Sequence, residues 1–489
     1  MPRYLTYVFC IGLIALSCFN RNDFPQNNNV LAKVGNRIIT VQDFIRRAEY
    51  TIRPDYCKQS NYIHKKIVLN SLIAEKLIAL EMEKEKDELL ASQSFHNYLR
   101  GRKEQSMRQL FYYDNFFDKT DIPDSLIKKV LPLSGRTIKV NYISLPDIKT
   151  AGEIKNLLLQ NFSLSEIYDG IWPGEVPSKE INFFDKEPDE IHRQLFKDQI
   201  EKGQIVGPFA NDDGSYLIMK IVEWKDEFTI TEKEQKIRWN DTRDMVKEKM
   251  AKKEYLSYIE GIMTGHTIDF NPDVFDQYAY EASKVYLNDA EIKKQAISKA
   301  LWEDIEKPKK IVINDKTNLS LDDIIFSYDN KEWTVNDLNQ LIQSHPLVFR
   351  KRQISIGDFR NQLKLSIADL LRDKAITEKC YNLDLDKDWR VTTNVYMWHD
   401  AYASKRFITL ANEKKENPEK KRILHNNLID SLQIKYSNKI RINTVEFEDI
   451  ELTSRDMLVT QKGLAYPIVV PSFPILTSDD RLDYGSKLN

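Results

Sequence analysis

Glycine is scarce in this chain, with 15 in 489 residues, while Lys, Glu and Leu are common. That composition leans toward helix. Charge of one sign is lacking as well. Lys plus Arg number 72 against 74 for Asp plus Glu, which leaves no electrostatic case for nucleic acid as the main partner. Only four cysteines are present (Cys10, Cys18, Cys57 and Cys380), and the seven histidines (64, 96, 192, 266, 345, 399 and 425) are scattered. No Cys/His spacing resembles a zinc site, so neither a metal nor a cofactor is expected. There is no Gly-x-Ser-x-Gly elbow, no phosphate loop, and no carboxylate pair that stands out from a 30% charged background. Long apolar runs are missing too. "LAYPIVVPSFPIL" near the C-terminus is broken by Pro467, Pro471 and Pro474. The 42% hydrophobic content is that of a globular chain, and at roughly 150 residues per domain the length suggests about three domains.

The first eighteen residues, "MPRYLTYVFCIGLIALSC", read as an address. Arg3 precedes an apolar run from Leu5 to Leu16 that is too short to span a bilayer comfortably. An ordinary secretory signal is one reading. The other is a bacterial lipoprotein signal, with "ALSC" as a loose lipobox and Cys18 as the acylated residue. Ala15 stands where Leu is usual. The polar, Asn-rich "FNRNDFPQNNN" then suits a flexible tether. Phe19 follows Cys18 in place of the Asp that often retains lipoproteins at the inner membrane, which favours the outer membrane. Cys57 and Cys380 would then face an oxidising compartment, either paired with each other or as separate buried thiols.

What the chain does contain is repetition. "GNRIITVQDF", from residue 35, returns as "DNKEWTVNDL" from residue 329, each a turn, an extended pair, Thr-Val-x-Asp and a helix start. Amphipathic helices follow both, with Glu75-Lys76 aligning with Asp373-Lys374. Aromatic-rich helix comes next, "QLFYYDNFFDK" in one and "NVYMWHDAYASKRF" in the other. The ends agree as well: "YIEGIMTGHTIDFN" (258–271) resembles "LIDSLQIKYSNKIRIN" (428–443). The spacing between copies shrinks along the chain, so the first copy contains something that the second lacks.

That something lies between Arg136 and Lys225, where the texture changes to short strands and small helices. "TIKVNYISL" alternates as a strand, "TAGEIKNLLLQ" is helical, "EKGQIVGPF" reads as a turn, and "GSYLIMKIVEW" is a closing strand. A strand that opens the unit and another that closes it indicate a compact α+β domain spliced into a helical host. At the corresponding place the second copy has only the charged "ANEKKENPEKKR".

"VLAKVGNRIITVQDF", "LIAEKLIALEMEKEK" and "EKGQIVGPFANDDGSYLIMKI", with Gly203, Gly207-Pro208 and Gly214, resemble the periplasmic chaperones of the SurA and PrsA type. Those are built around a parvulin (PpiC-type) peptidyl-prolyl isomerase domain. The resemblance covers roughly residues 30–275. It implies a mainly α, multidomain protein with an inserted small α+β parvulin-like domain and a second diverged copy of the helical module. The expected map is a signal (1–17), a tether (18–29), a helical module (30–132, completed by 228–275), the parvulin-like domain (133–227), a connector (276–320), a second module without insert (321–452) and an extended tail (453–489). The returning helix would pack through Ile237, Met245, Met250, Leu256 and Ile259. The implied partners are unfolded outer-membrane or secreted polypeptides, with the membrane reached through the N-terminal lipid.

The family's catalytic floor commonly includes two histidines, one on each of two strands. Here Tyr142 in "NYISL" and Tyr216 in "GSYLI" stand at those positions, and "INFFD" replaces the family's Gly-Gly turn. Two tyrosines could hydrogen-bond across adjacent strands and preserve the fold, leaving a binding domain that has lost its chemistry; an active isomerase using tyrosines is the alternative. His192 reads as a surface residue. Phe111, Tyr112, Tyr113, Phe116 and Phe117 read as core or as a client-binding surface. The proline-rich tail reads as a docking segment or as an arm on its own domain.

Overall fold

The computed structural model describes residues 30–185, 187–211, 214–287, 319–351, 354–411, 418–452 and 469–488. These form two compact units, one of residues 30–107 with 380–452 and 469–488, the other of residues 108–379. Among the described residues the architecture is mainly helical, with three small sheets.

The first unit begins with an antiparallel hairpin, Val30–Val34 and Arg37–Thr40. Thr40 ends the second strand and caps helix Val41–Glu49. Its side chain accepts from the Asp43 N–H, and the Asp43 carboxylate accepts from the Thr40 N–H. The repeated Thr-Val-x-Asp is therefore a capping box, and it recurs in the second unit, where Thr334 and Asp337 open helix Val335–Ser344 in the same way. The second hairpin, Ile324–Tyr328 and Lys331–Thr334, turns through Asp329 and Asn330. Both have positive φ, as a tight primed turn demands.

Each hairpin is extended by a third strand, and its source overturns the expected map. Val30–Val34 pairs with Ile440–Ile442, and Ile324–Tyr328 pairs with Ile268–Phe270. The first module is thus completed by the chain's later segment and not by 228–275, while 268–270 completes the second. The physical reason is matching ends. "TIDFN" and "KIRIN" are equivalent strands, each followed by an Asn that caps a helix, Asn271 for Pro272–Tyr286 and Asn443 for Thr444–Asp449. Either segment suits either hairpin by pattern, so sequence order alone assigns them wrongly. The expected connector is also partly core. Tyr278, Ala279 and Ala282 of helix Pro272–Tyr286 are buried with Phe326, Trp333 and Phe359.

In the first unit, helix Tyr62–Met82 is buried along nearly its whole length and carries charge inside. Arg37 Nε donates to Asp400 Oδ1 at 2.9 Å, and Lys76 Nζ lies 3.1 Å from Asp400 Oδ2 and 3.3 Å from Glu75. Arg47 makes a two-pronged pair with Glu75 at 2.7 and 3.1 Å and also donates to the Ser472 carbonyl at 2.9 Å. Arg37 reaches Glu83 as well. Burial alone would raise the Asp400 carboxyl, yet Lys76, His399 and Arg37 hold it below its ordinary range.

The same helix straps down the C-terminal segment. Asn70 donates to the Asp479 carbonyl at 2.7 Å and Ser71 to the Thr477 carbonyl at 3.3 Å. Phe473 and Leu476 join the core. The described part of the tail is therefore an arm on its own unit and not a docking segment; residues 453–468 of it lie outside the described residues. Cys57 and Cys380 are both buried.

In the second unit, residues 136–226 hold a four-stranded antiparallel sheet ordered Ser178–Asn182, Arg136–Leu145, Tyr216–Asp226, Ile205–Ala210. "QIVGPF", read as a turn, is the last of these strands. It bends between Val206 and Phe209, where a side chain at Gly207 would meet the Leu217 carbonyl at 2.6 Å. Replacing Thr40 or Thr334 by Ala is expected to cost about 1 kcal/mol each, read from chemical-denaturation midpoints. Unchanged midpoints would contradict the capping assignment.

Candidate functional site

The four-stranded sheet of residues 136–226 has two apolar faces, and backbone register decides which residues share one. Tyr142 lies opposite Met219, and Leu145 opposite Tyr216. Side chains alternate along a strand, so the three-residue step from Met219 to Tyr216 puts the two tyrosines on opposite faces. Tyr142 packs with Val140, Met219 and Ile221, whereas Tyr216 packs with Ile143, Leu145 and Ile218. The expected cross-strand tyrosine pair is therefore absent. The residue that shares Tyr142's face at that end of the closing strand is Leu217, half-buried and without a polar group. The register between the two strands shifts once, where Val140 pairs with Ile221 and Lys139 with Glu223, so Val222 is the extra residue of the closing strand.

The Tyr142 face is largely filled by its own chain. Helix Asp189–Leu195 lays Ile191, Leu195 and His192 over it. The His192 ring packs 4.9 Å from Phe183 and 4.6 Å from Phe196, centre to centre. His192 Nε2 donates to the Phe183 carbonyl at 2.8 Å, and Nδ1 accepts from Lys249 Nζ at 3.1 Å. Met245, on the same long helix as Lys249, packs against this cluster. His192 is consequently buried, contrary to the expectation of a surface residue. Its i,i+4 spacing to Phe196, one step beyond the apolar pair Ile191 and Leu195, was the available signal. Burial, and next Lys249, push its pKa down to about 4, so near neutral pH it is an uncharged hydrogen-bonding core residue.

Open apolar surface lies elsewhere in the second unit. Helix Glu232–Met263 buries only Thr242, Ala251 and Tyr255 of its 32 residues. Ile237 and Leu256, expected to pack, are exposed, whereas Met245 is partly buried. Just before the helix, Phe228 and Ile230 are 86% and 88% exposed. The aromatic run divides. Phe111 and Tyr112 are buried, while Tyr113, Phe116 and Phe117 form a wide helical turn that is half-exposed. Phe116 sits 5.2 Å from both Tyr255 and Tyr258, and Lys247 lies over Phe117 at 4.7 Å. This seam fastens the long helix to the aromatic run, so its first role is packing.

Cys18 lies outside the described residues. Among the described residues, no group of His, Cys, Asp and Glu could hold a metal ion, and no helix is long and apolar enough to cross a membrane.

A histidine whose folded pKa is depressed resists protonation, whereas the unfolded chain takes up its proton near the ordinary value of 6.5. Stability from this residue is thus complete above about pH 6.5 and is lost as the pH falls toward 4. Asp189 and Glu187, which favour the charged form, oppose Lys249 only in part. Between pH 7 and 4 the protein is expected to lose on the order of 2 kcal/mol more than His192→Gln. Denaturant titrations at both pH values read this difference, and an equal loss in both proteins would contradict it.

No protein-family model and no curated protein sequence matches the chain. Among solved structures, the foldase protein PrsA from Streptococcus pneumoniae str. Canada MDR_19A is similar at 11% identity. The similarity covers 43% of this chain and 84% of that one with a TM-score of 0.20, too low to carry an argument.

Proposed function

We propose that this protein is a lipid-anchored periplasmic chaperone or assembly factor that holds unfolded outer-membrane or secreted polypeptides, and that its inserted domain is a parvulin-type fold without isomerase chemistry. The observation that carries the second part is the separation of Tyr142 and Tyr216 onto opposite faces, with Leu217 beside Tyr142. Rotation about an X-Pro bond faces a barrier of roughly 20 kcal/mol, and lowering it needs a polar floor against a seated proline. Here that face offers one phenol amid apolar side chains, and part of it is taken by His192 and Met245. The strand order and connectivity of residues 136–226 suit the parvulin reading.

Holding is supported by the lightly buried helix Glu232–Met263 and by Phe228 and Ile230 beside it. Sequence-tolerant capture of unfolded chains needs apolar surface and little else. Lipid attachment through Cys18 would keep the protein at the outer membrane, where such clients pass.

Two assays on the whole protein test this reading. Proline cis/trans exchange in a short peptide is expected to run at the uncatalysed rate. Aggregation of an unfolded outer-membrane protein is expected to be suppressed, and less so by a Phe228→Ser, Ile230→Ser variant. Accelerated exchange that Tyr142→Phe abolishes would instead establish an active isomerase. Absence of both activities would make the protein a fixed subunit of a larger complex.

A further inference from the structure

The two hairpin sheets are equivalent except at one edge. In the first unit, Lys439 and Asn443 bond inward to the hairpin, through Gly35 N–H to Lys439 O at 3.0 Å and Asn443 N–H to Leu31 O at 2.9 Å. Ile440 and Ile442 therefore turn their backbone groups outward. There they meet the chain's own Ser486–Lys487, which pairs in parallel, and the Leu488 N–H donates to Ile442 O at 3.0 Å. In the second unit, Asp329 N–H to Thr267 O at 3.3 Å and Asn271 N–H to Ile325 O at 3.0 Å make the same inward bonds. Ile268 and Phe270 thus stand where Ile440 and Ile442 stand, with outward backbone groups. Among the described residues no strand pairs with that side, and Ile268–Phe270 is the edge of a three-stranded sheet.

We propose that the outer edge of Ile268–Phe270 binds an extended, glycine-led segment of a client polypeptide as an added parallel strand. This rests on the chaperone reading and names one site by which it would work. Backbone pairing at a sheet edge is a general way to take an extended peptide without reading most of its side chains. The first unit shows what chemistry fits. Gly485 precedes the added strand at φ +81°, and a side chain there would meet Ile440 O at 2.7 Å. Ile268 presents the same carbonyl and the same side-chain type, so the incoming segment meets the same demand. A proline at the residue that donates to Phe270 O would remove the bond that Leu488 makes in the first unit.

The test is hydrogen exchange on the whole protein, followed at amides 268 and 270, with a synthetic peptide of residues 481–489 ("RLDYGSKLN") as probe. Added peptide is expected to slow exchange at both amides. Replacing the peptide's glycine by valine is expected to weaken binding about tenfold or more. Binding without protection at 268 and 270, equal binding by the valine peptide, or no binding overturns the proposal. So does protection already present before peptide is added, which would mean that this chain covers the edge itself. Aggregation suppression measured on the same sample reads the chaperone function separately. Suppression without edge protection overturns this inference alone, whereas peptide-induced protection without suppression keeps the edge and removes the chaperone reading.

Discussion

A short hairpin cannot satisfy the outer backbone groups of its own first strand, and in both units that constraint organises everything else. Val30–Val34 is buried, so its carbonyls and N–H groups need protein partners. They find them in Ile440–Ile442, a strand that arrives near the end of the described chain. The later helices and the strapped C-terminal segment belong to the first unit because that strand does. Ile324–Tyr328 imposes the same need on the second unit and is met by Ile268–Phe270, which follows directly from the long helix Glu232–Met263.

Charge inside the first unit reinforces this choice of partners. The Arg37, Glu83, Asp400, Lys76, Glu75 and Arg47 set joins the hairpin, the helix after it, the buried helix Tyr62–Met82 and helix Trp389–Ala411, with Ser472 of the C-terminal segment at its end. Desolvating so many charges is costly, and leaving one of them alone costs about 3–5 kcal/mol. Such a set stabilises only when all its segments are present together, so it discriminates against assemblies that lack one. The second unit is built differently. Asp373 there pairs with Arg372, and Lys374 pairs with Glu378 toward solvent. Its core is instead aromatic, with Phe326 stacked on Trp333 at 5.5 Å and Phe270 edge-on to Phe275 at 4.6 Å.

Local signals are legible in the sequence, and pairings between distant segments are not. Thr-Val-x-Asp announces two capped helices, and the alternation in "TIKVNYISL" announces a strand, because each rests on neighbours in the chain. Which closing strand serves which hairpin rests on backbone bonds between "KIRIN" or "TIDFN" and a segment far away, and both candidates carry the same pattern. The presence of strands between Arg136 and Lys225 follows from a change in texture. The face assignment of Tyr142 and Tyr216 does not follow, because it depends on the pairing register, which shifts by one residue at Val222, and a motif match does not count residues against that register. His192 misleads for a related reason: a helix with one polar residue beside an apolar pair looks amphipathic until Phe183 and Phe196 close over it.

The most direct measurement of the crossed completion is disulfide formation between cysteines placed at register partners. Lys33 faces Arg441 in the first sheet, and Asp269 faces Ser327 in the second. Such partners sit about 5.5 Å apart at Cα, within reach of a disulfide. Lys33→Cys with Arg441→Cys, and Asp269→Cys with Ser327→Cys, are expected to link under mild oxidation, as read by mass spectrometry of the joined peptides. The exchanged pairs, Lys33→Cys with Asp269→Cys and Ser327→Cys with Arg441→Cys, are expected to stay reduced. Linking in the exchanged pairs and not in the first two would mean that each hairpin is closed by the next such segment after it in the chain, and would contradict the crossed completion outright.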